Sequence, residues 1–209
     1  MRKIKKLKII PRYKDILRRA LKTGIDFSQA GLASEAEQEE FISCLAAAAE
    51  PAVLFDFRDR APACLPGASS PCSLAVVTLG KAIEDKISAC GLSGQREAAG
   101  ACARFLLEDE CRLLFEIISQ EPRADGFSAA GLIQLAGREQ AFVPDMRPGL
   151  KDKTEIKTAA SPQAACDFAE LMQADKIGVS VCENGLFSPL YTAAFCALWK
   201  RKSSGRDKK

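Results

Sequence analysis

Apolar residues recur along this chain with two different spacings, and the alternation between them lays out its elements. Between Arg12 and Lys22 the residues Ile16, Leu17, Ala20 and Leu21 fall on one side of a helix, with Gly24 placed as its C-terminal stop. Ser34 followed by Glu37 is the S-x-x-E capping pattern, and Phe41, Ile42 and Leu45 carry that second helix towards Pro51. Val53, Phe55 and Phe57 then alternate with Leu54, Asp56 and Arg58, the period-two pattern of a half-buried strand. A Pro/Gly/Ser-rich loop over residues 59–73 leads to LAVVTL, a buried strand closed by Gly80.

A short helix with Ile83 and Ile87 four apart follows and stops at Gly91. The longest helical pattern starts at Ser93 and is apolar around much of its circumference, so it is expected to be central, ending at Glu121-Pro122. The pattern is weakest over residues 123–161, where Ala129–Ala136 reads as a helix ahead of AFVPDMRPGLKDK. Ser161-Pro162 opens another helix, with Ser as N-cap and Pro at the first position; Ala165, Phe168, Ala169 and Met172 line one face. Ile177, Val179 and Val181 alternate as a strand, ENGLFSP interrupts, and Leu190–Trp199 forms the last strand, expected to pair antiparallel with the one before it. Tyr191, Phe195 and Trp199 on one side of that strand read as core rather than as a stacking platform.

Composition narrows the chemistry. The 209 residues are 47% hydrophobic and 27% charged, enough to bury a core without staples. There is no His, which removes Ser/His and Cys/His nucleophile pairs, H-E-x-x-H zinc sites and imidazole ligation of a haem or corrinoid. Nine Cys are present, none two residues apart, so zinc-ribbon and thioredoxin-type spacings are absent. Cys44, Cys102 and Cys196 sit in apolar company and read as small buried hydrophobes. Cys64 and Cys72, in the Pro/Gly loop, form the one pair suited to thiol redox chemistry. Glu108, Asp109 and Glu110 are consecutive on a helix, point in different directions, and read as a solvated face.

Charge divides the chain. The first 22 residues carry ten Lys/Arg against one Asp and the last ten carry six against one, so an acidic body stands between basic ends. Basic ends without interleaved aromatics argue against nucleic-acid binding and offer, at most, salt-sensitive contact with an anionic partner. No apolar run approaches a membrane span, and free cysteines suit a reducing cytoplasm. The expected organisation is a basic segment over residues 1–11, a single α+β domain over 12–199 and a basic disordered tail over 200–209.

The order of three segments carries more. LAVVTLGKAIEDKISACG, the long Ala-rich helix, then a Pro-Gly turn, a helix and IGVSVCENGLFSPLYTAAF together resemble the reactivation domain of cobalamin-dependent methionine synthase, and more closely its free-standing bacterial relatives. Thr78-Leu79-Gly80 stands where that family has a strand ending in T-L-G. Ile177 to Asn184 stands where it has I-G-V-[ST]-L-T-E-S, with Pro189 in the spacer before the last strand. The resemblance implies an antiparallel twisted sheet with flanking helices. It also implies binding of S-adenosylmethionine in a shallow groove and docking on a corrinoid methyltransferase, a methionine synthase lacking its own activation domain, so that the partner's cobalamin can be remethylated. Such a domain supplies position rather than an acid or base, so no catalytic residue is assigned to it.

The ligand motif of that family, R-x-x-P-G-Y, corresponds here to Asp145-Met146-Arg147-Pro148-Gly149-Leu150. Pro148 and Gly149 are retained, Asp145 and Leu150 replace Arg and Tyr, and Arg147 lies two residues late. The resemblance therefore assigns ligand contact to Arg147, Pro148, Gly149 and Glu183, the last matching the Glu of T-E-S, while Cys182 replaces the Thr before it. A non-catalytic adaptor of the same fold, with S-adenosylmethionine binding lost, is the alternative. An interaction protein that uses its basic ends against an acidic partner is a further one.

Overall fold

The computed structural model describes residues 1–5, 8–66, 69–135, 155–159 and 161–202. Among them are a six-stranded mixed sheet and five α-helices, an α+β arrangement. The strands are β1 (Arg2–Lys5), β2 (Ala52–Arg58), β3 (Cys72–Thr78), β4 (Phe127–Leu135), β5 (Glu155–Ala159) and, after a two-residue hairpin of β6 (Ser180–Val181) and β7 (Phe187–Ser188), β8 (Thr192–Arg201). The order across the large sheet is β1-β2-β3-β8-β4-β5. All neighbours are antiparallel except β4 and β5, so the sheet is mixed where an antiparallel one was expected.

The helices are α1 (Tyr13–Lys22), α2 (Glu35–Ala48), α3 (Lys81–Ser88), α4 (Ser93–Ala124) and α5 (Pro162–Leu171). Side-chain alternation in the sheet feeds two cores. Val53, Phe55, Ala75, Val77, Phe195 and Trp199 face one way and pack with residues of α1 to α4. Leu54, Leu74, Val76, Ala194 and Cys196 face the other way, with Phe168 and Met172 from α5 and its C-cap. Both faces are covered, which is why LAVVTL reads as a continuous apolar run and why Leu54 is as buried as Val53, against the half-buried strand expected.

Local signals hold where they are self-contained. Ser34 accepts from the Glu37 N–H at 3.2 Å while Glu37 accepts from the Ser34 N–H at 2.9 Å, so two N-terminal donors of α2 are satisfied reciprocally. Ser34→Ala is expected to cost about 1 kcal/mol, read as a shift in the denaturation midpoint with an unchanged slope. Gly24 at φ +82° ends α1: its N–H donates to the Leu21 carbonyl and the Ile25 N–H to that of Ala20.

Other expectations are corrected. Ala129–Ala136 was expected to be helical, but residues 127–135 form β4. Ladders to β8 on one side and β5 on the other, with Leu132 and Ile133 buried on opposite faces, override the helix preference of alanine. The long helix continues past Glu121-Pro122 to Ala124; Pro122 keeps a φ compatible with the helix, and its buried ring fills the last turn. The strand expected over residues 177–181 is a 3-10 turn (Ala174–Ile177) followed by β6, which pairs with β7 and not with the last strand. The basic N-terminal segment contributes β1, an edge strand whose Arg2, Lys3 and Lys5 are exposed. The tail from residue 203 lies outside the described residues.

Cys102 and Cys196 are buried as expected, but Cys44 is exposed on the outer side of α2. Glu108 and Glu110 are not on a solvated face: each is 7% exposed. Arg19 of α1 accounts for Glu108. Its guanidinium pairs with Glu108 at 3.1 Å, Asp109 at 2.8 Å and Asp15 at 3.1 Å, and lies 4.8 Å over the Phe105 ring. Arg112 closes the network with Glu108 and Asp109 at 3.6 and 3.2 Å, fastening α1 onto α4.

Candidate functional site

The first short motif is tied to the start of β8, and the second, about a hundred residues later in sequence, leads into that strand through the β6–β7 hairpin. β3 ends at Thr78, whose hydroxyl accepts from the Gly80 N–H at 3.1 Å and from the Thr192 hydroxyl at 2.9 Å. The Leu79 N–H donates to the Tyr191 carbonyl and the Leu79 carbonyl accepts from the Glu50 N–H, so the turn is tied to β8 and to the end of α2. Gly80 adopts φ +80°, and a Cβ there would sit 3.0 to 3.1 Å from Glu50 Cβ and its carbonyl oxygen. The turn from β3 into α3 therefore needs glycine on two counts.

The second motif enters from the other side. Ile177 and Val179 are buried and Val181 begins the β6–β7 hairpin. In its turn the Gly185 N–H donates to the Cys182 carbonyl, the Leu186 N–H to the Asn184 side chain, and the Cys182 N–H to the Leu186 carbonyl. Gly185, at φ +82°, has Pro162 so close that a Cβ would lie 2.6 Å from its Cα, which seats the hairpin on the start of α5. Beyond the hairpin, the Leu190 N–H donates to the Glu84 carboxylate of α3, and β8 begins.

Glu183 occupies this turn with its carboxylate exposed, and Cys182 beside it is exposed too. No ion pair engages Glu183 among the described residues, so its oxygens are free to accept from a hydroxyl or ammonium group. Arg147, Pro148 and Gly149, together with Asp145 and Leu150, lie outside the described residues. The structure thus places one of the four assigned contact residues, Glu183, in the turn of the β6–β7 hairpin.

Tyr191, expected in the core, is only partly buried against it. Its hydroxyl approaches α4 at Gly100, where a Cβ would lie 3.3 Å from the phenol oxygen. Burial raises its pKa, against a smaller opposing effect of Arg104. The Ala-Gly-Ala run of α4 was the available signal, since a small residue in a buried helix marks a close approach. Phe195 and Trp199 on the same strand are buried, so the aromatic stripe is core.

The thiol-redox pair is not supported by its surroundings. Cys72 is buried on β3 against Cys196, and the half-buried Cys64 thiol is pushed up by burial and by the charge of Asp167. Among the described residues no group of three or more Cys, Asp or Glu is placed to hold a metal ion, and no helix is long and apolar enough to cross a membrane. Compared with known proteins, the chain matches no family model and no curated sequence.

Proposed function

We propose that this chain is a reactivation-type accessory protein that binds S-adenosylmethionine and docks on a corrinoid-dependent methyltransferase. The observation that carries the reading is that Thr78-Leu79-Gly80 is tied to the start of β8, the strand into which the segment from Ile177 to Asn184 leads. The ties are hydrogen bonds from the Thr192 hydroxyl to Thr78 and from the Leu79 N–H to the Tyr191 carbonyl. On this reading Arg147, Pro148, Gly149 and Glu183 face the ligand, whose methyl group is the chemistry supplied, and cobalamin belongs to the partner. The chain itself binds and orients, a proximity effect that asks for no general acid or base and suits a protein without His. Glu183 accepts a hydrogen bond from the ligand's amino or ribose groups.

Titration calorimetry with S-adenosylmethionine tests this directly. Saturable binding is expected, and Asp145→Arg combined with Leu150→Tyr should tighten it by about tenfold or more, since a charge-assisted contact is worth about 2–5 kcal/mol. No heat at millimolar ligand, in the wild type and the double variant alike, would overturn the reading.

The second reading is an adaptor of the same fold that does not bind S-adenosylmethionine. It is favoured by Asp145 and Leu150 themselves, which put a carboxylate and an aliphatic side chain where the motif has a cation and a phenol. It is also favoured by the basic surface that β1 and α1 expose through Arg2, Lys3, Lys5, Arg12, Lys14, Arg18 and Lys22. Partner binding through that surface should weaken steeply with salt, whereas binding through the ligand groove should not.

A further inference from the structure

At the opposite end of β8 from the hairpin, a cavity of about 220 Å³ opens between the last turn of α4 and the ends of β2, β3 and β4. Its walls are apolar and largely aromatic: Phe57, Phe127 and Trp199, with Pro71 and Pro122. Trp199 is held in place rather than loosely packed. Its ring stacks on Phe115 at 6.2 Å and its indole N–H donates to Ser73 at 2.8 Å. The rim carries Arg58, Asp59, Glu121 and Asp125.

These charges do not cancel one another. Arg58 pairs at 2.9 Å with Asp56, a carboxylate it shares with the N-terminal ammonium at 2.8 Å, and Glu121 pairs with Arg2 at 3.3 Å. Asp59 and Asp125 have no ion-pair partner among the described residues, so the rim presents two carboxylates free to meet a cation. Two of the three rings already attract guanidinium groups of the chain itself: Arg2 stands 5.4 Å from the Phe57 centroid and Arg201 5.9 Å from that of Phe127. Ring faces attract cations through their quadrupole, and carboxylates at the mouth strengthen that preference.

We propose that this cavity is a binding site for an organic cation with an apolar body, a guanidinium or ammonium group whose alkyl stem lies against Trp199 and the two phenylalanines while its charge meets Asp59 and Asp125. The same chemistry is offered by a free small molecule and by an Arg side chain of a partner. The site is independent of the S-adenosylmethionine reading, because it shares no residue with Arg147, Pro148, Gly149 or Glu183.

Trp199 is the only tryptophan of the chain, so its fluorescence reports occupancy without labelling. Titration of the full chain with n-butylguanidinium is expected to give a saturable change, with n-butylurea, a neutral analogue of similar shape, binding about tenfold more weakly or worse. Asp59→Asn with Asp125→Asn, both at exposed positions, should weaken the cation about tenfold while leaving the urea unchanged and the melting temperature within a few degrees of wild type. A capped tripeptide with central Arg separates the sources. Tighter binding than n-butylguanidinium assigns the site to a partner's side chain, and equal or weaker binding assigns it to a small molecule. Equal affinity for the cation and the urea, no saturable signal with either, or an unchanged affinity in the double Asn variant would overturn the proposal.

Discussion

Phe195→Ala is expected to destabilise the protein by about 3–5 kcal/mol, the range for removing a fully buried aromatic ring. Phe195 is 1% exposed, on the strand that lies between β3 and β4, opposite Ala75 and Gln134 in register. Its ring points into the core beneath α1 to α4, where the neighbouring strand residues Ala75, Ala193 and Ala197 are small. Those alanines cannot expand into the space, so the cavity persists and its cost adds to the lost transfer free energy. Phe195→Leu, which refills most of the volume, should recover more than half of the loss. Urea denaturation of the two variants checks both values. A loss below about 1 kcal/mol for the alanine variant would mean that the helical layer can collapse onto the sheet.

Glu110→Gln is expected to change how stability responds to pH. Glu110 is 7% exposed and its Oε2 meets no donor. Burial first, and the charge of Asp109 second, push its carboxyl from 4.5 up to about 7. The folded chain therefore holds this proton more tightly than the unfolded chain. The contribution to stability is complete below pH 4.5 and is lost as pH rises through 7, by about 3 kcal/mol in all. Glutamine cannot ionise, so the variant should be more stable than wild type at pH 8 by up to about 3 kcal/mol, with the difference shrinking between pH 7 and 4.5. Carboxylates elsewhere titrate alike in both proteins and cancel in that difference. Denaturation midpoints at pH 4.5, 6 and 8 decide the matter, and parallel pH profiles would show that the folded state hydrates Glu110.

What could be read from the residues alone follows the range of the interactions involved. Ser34 and Glu37 cap a helix through contacts three residues apart, and Gly24 ends one through its own dihedral angle, so both were legible. Residues 127–135 were not, because alanine at three of the eight positions from 129 to 136 favours a helix, and only the ladders to β5 and β8 make it a strand. Glu108 was misplaced for the same reason. Arg112 four residues on is visible in the sequence, but the partner that covers Glu108 is Arg19 of α1, 89 residues away. The hairpin of β6 and β7 was hidden by the buried alternation of Ile177, Val179 and Val181, which continues through a 3-10 turn as easily as through a strand.

At the candidate site, Thr78-Leu79-Gly80 and Glu183 were visible as motifs, while the tie from Thr78 to the start of β8 depends on the register of β3 with β8. The cation cavity left no trace in sequence, since its lining comes from four separate stretches of chain.

The position of β8 has a consequence for how the molecule comes into being. The strand made last lies between β3 and β4, with Thr78 pairing across 114 residues to Thr192. Until β8 has left the ribosome, β3 and β4 each show an unpaired edge, and α4 has no complete sheet to cover. Early folding is thus confined to local pieces such as the β2–β3 pair and the helices before residue 124, and the cooperative step waits for β8. A nascent chain stalled before residue 192 should be the species that chaperones hold and proteases cut.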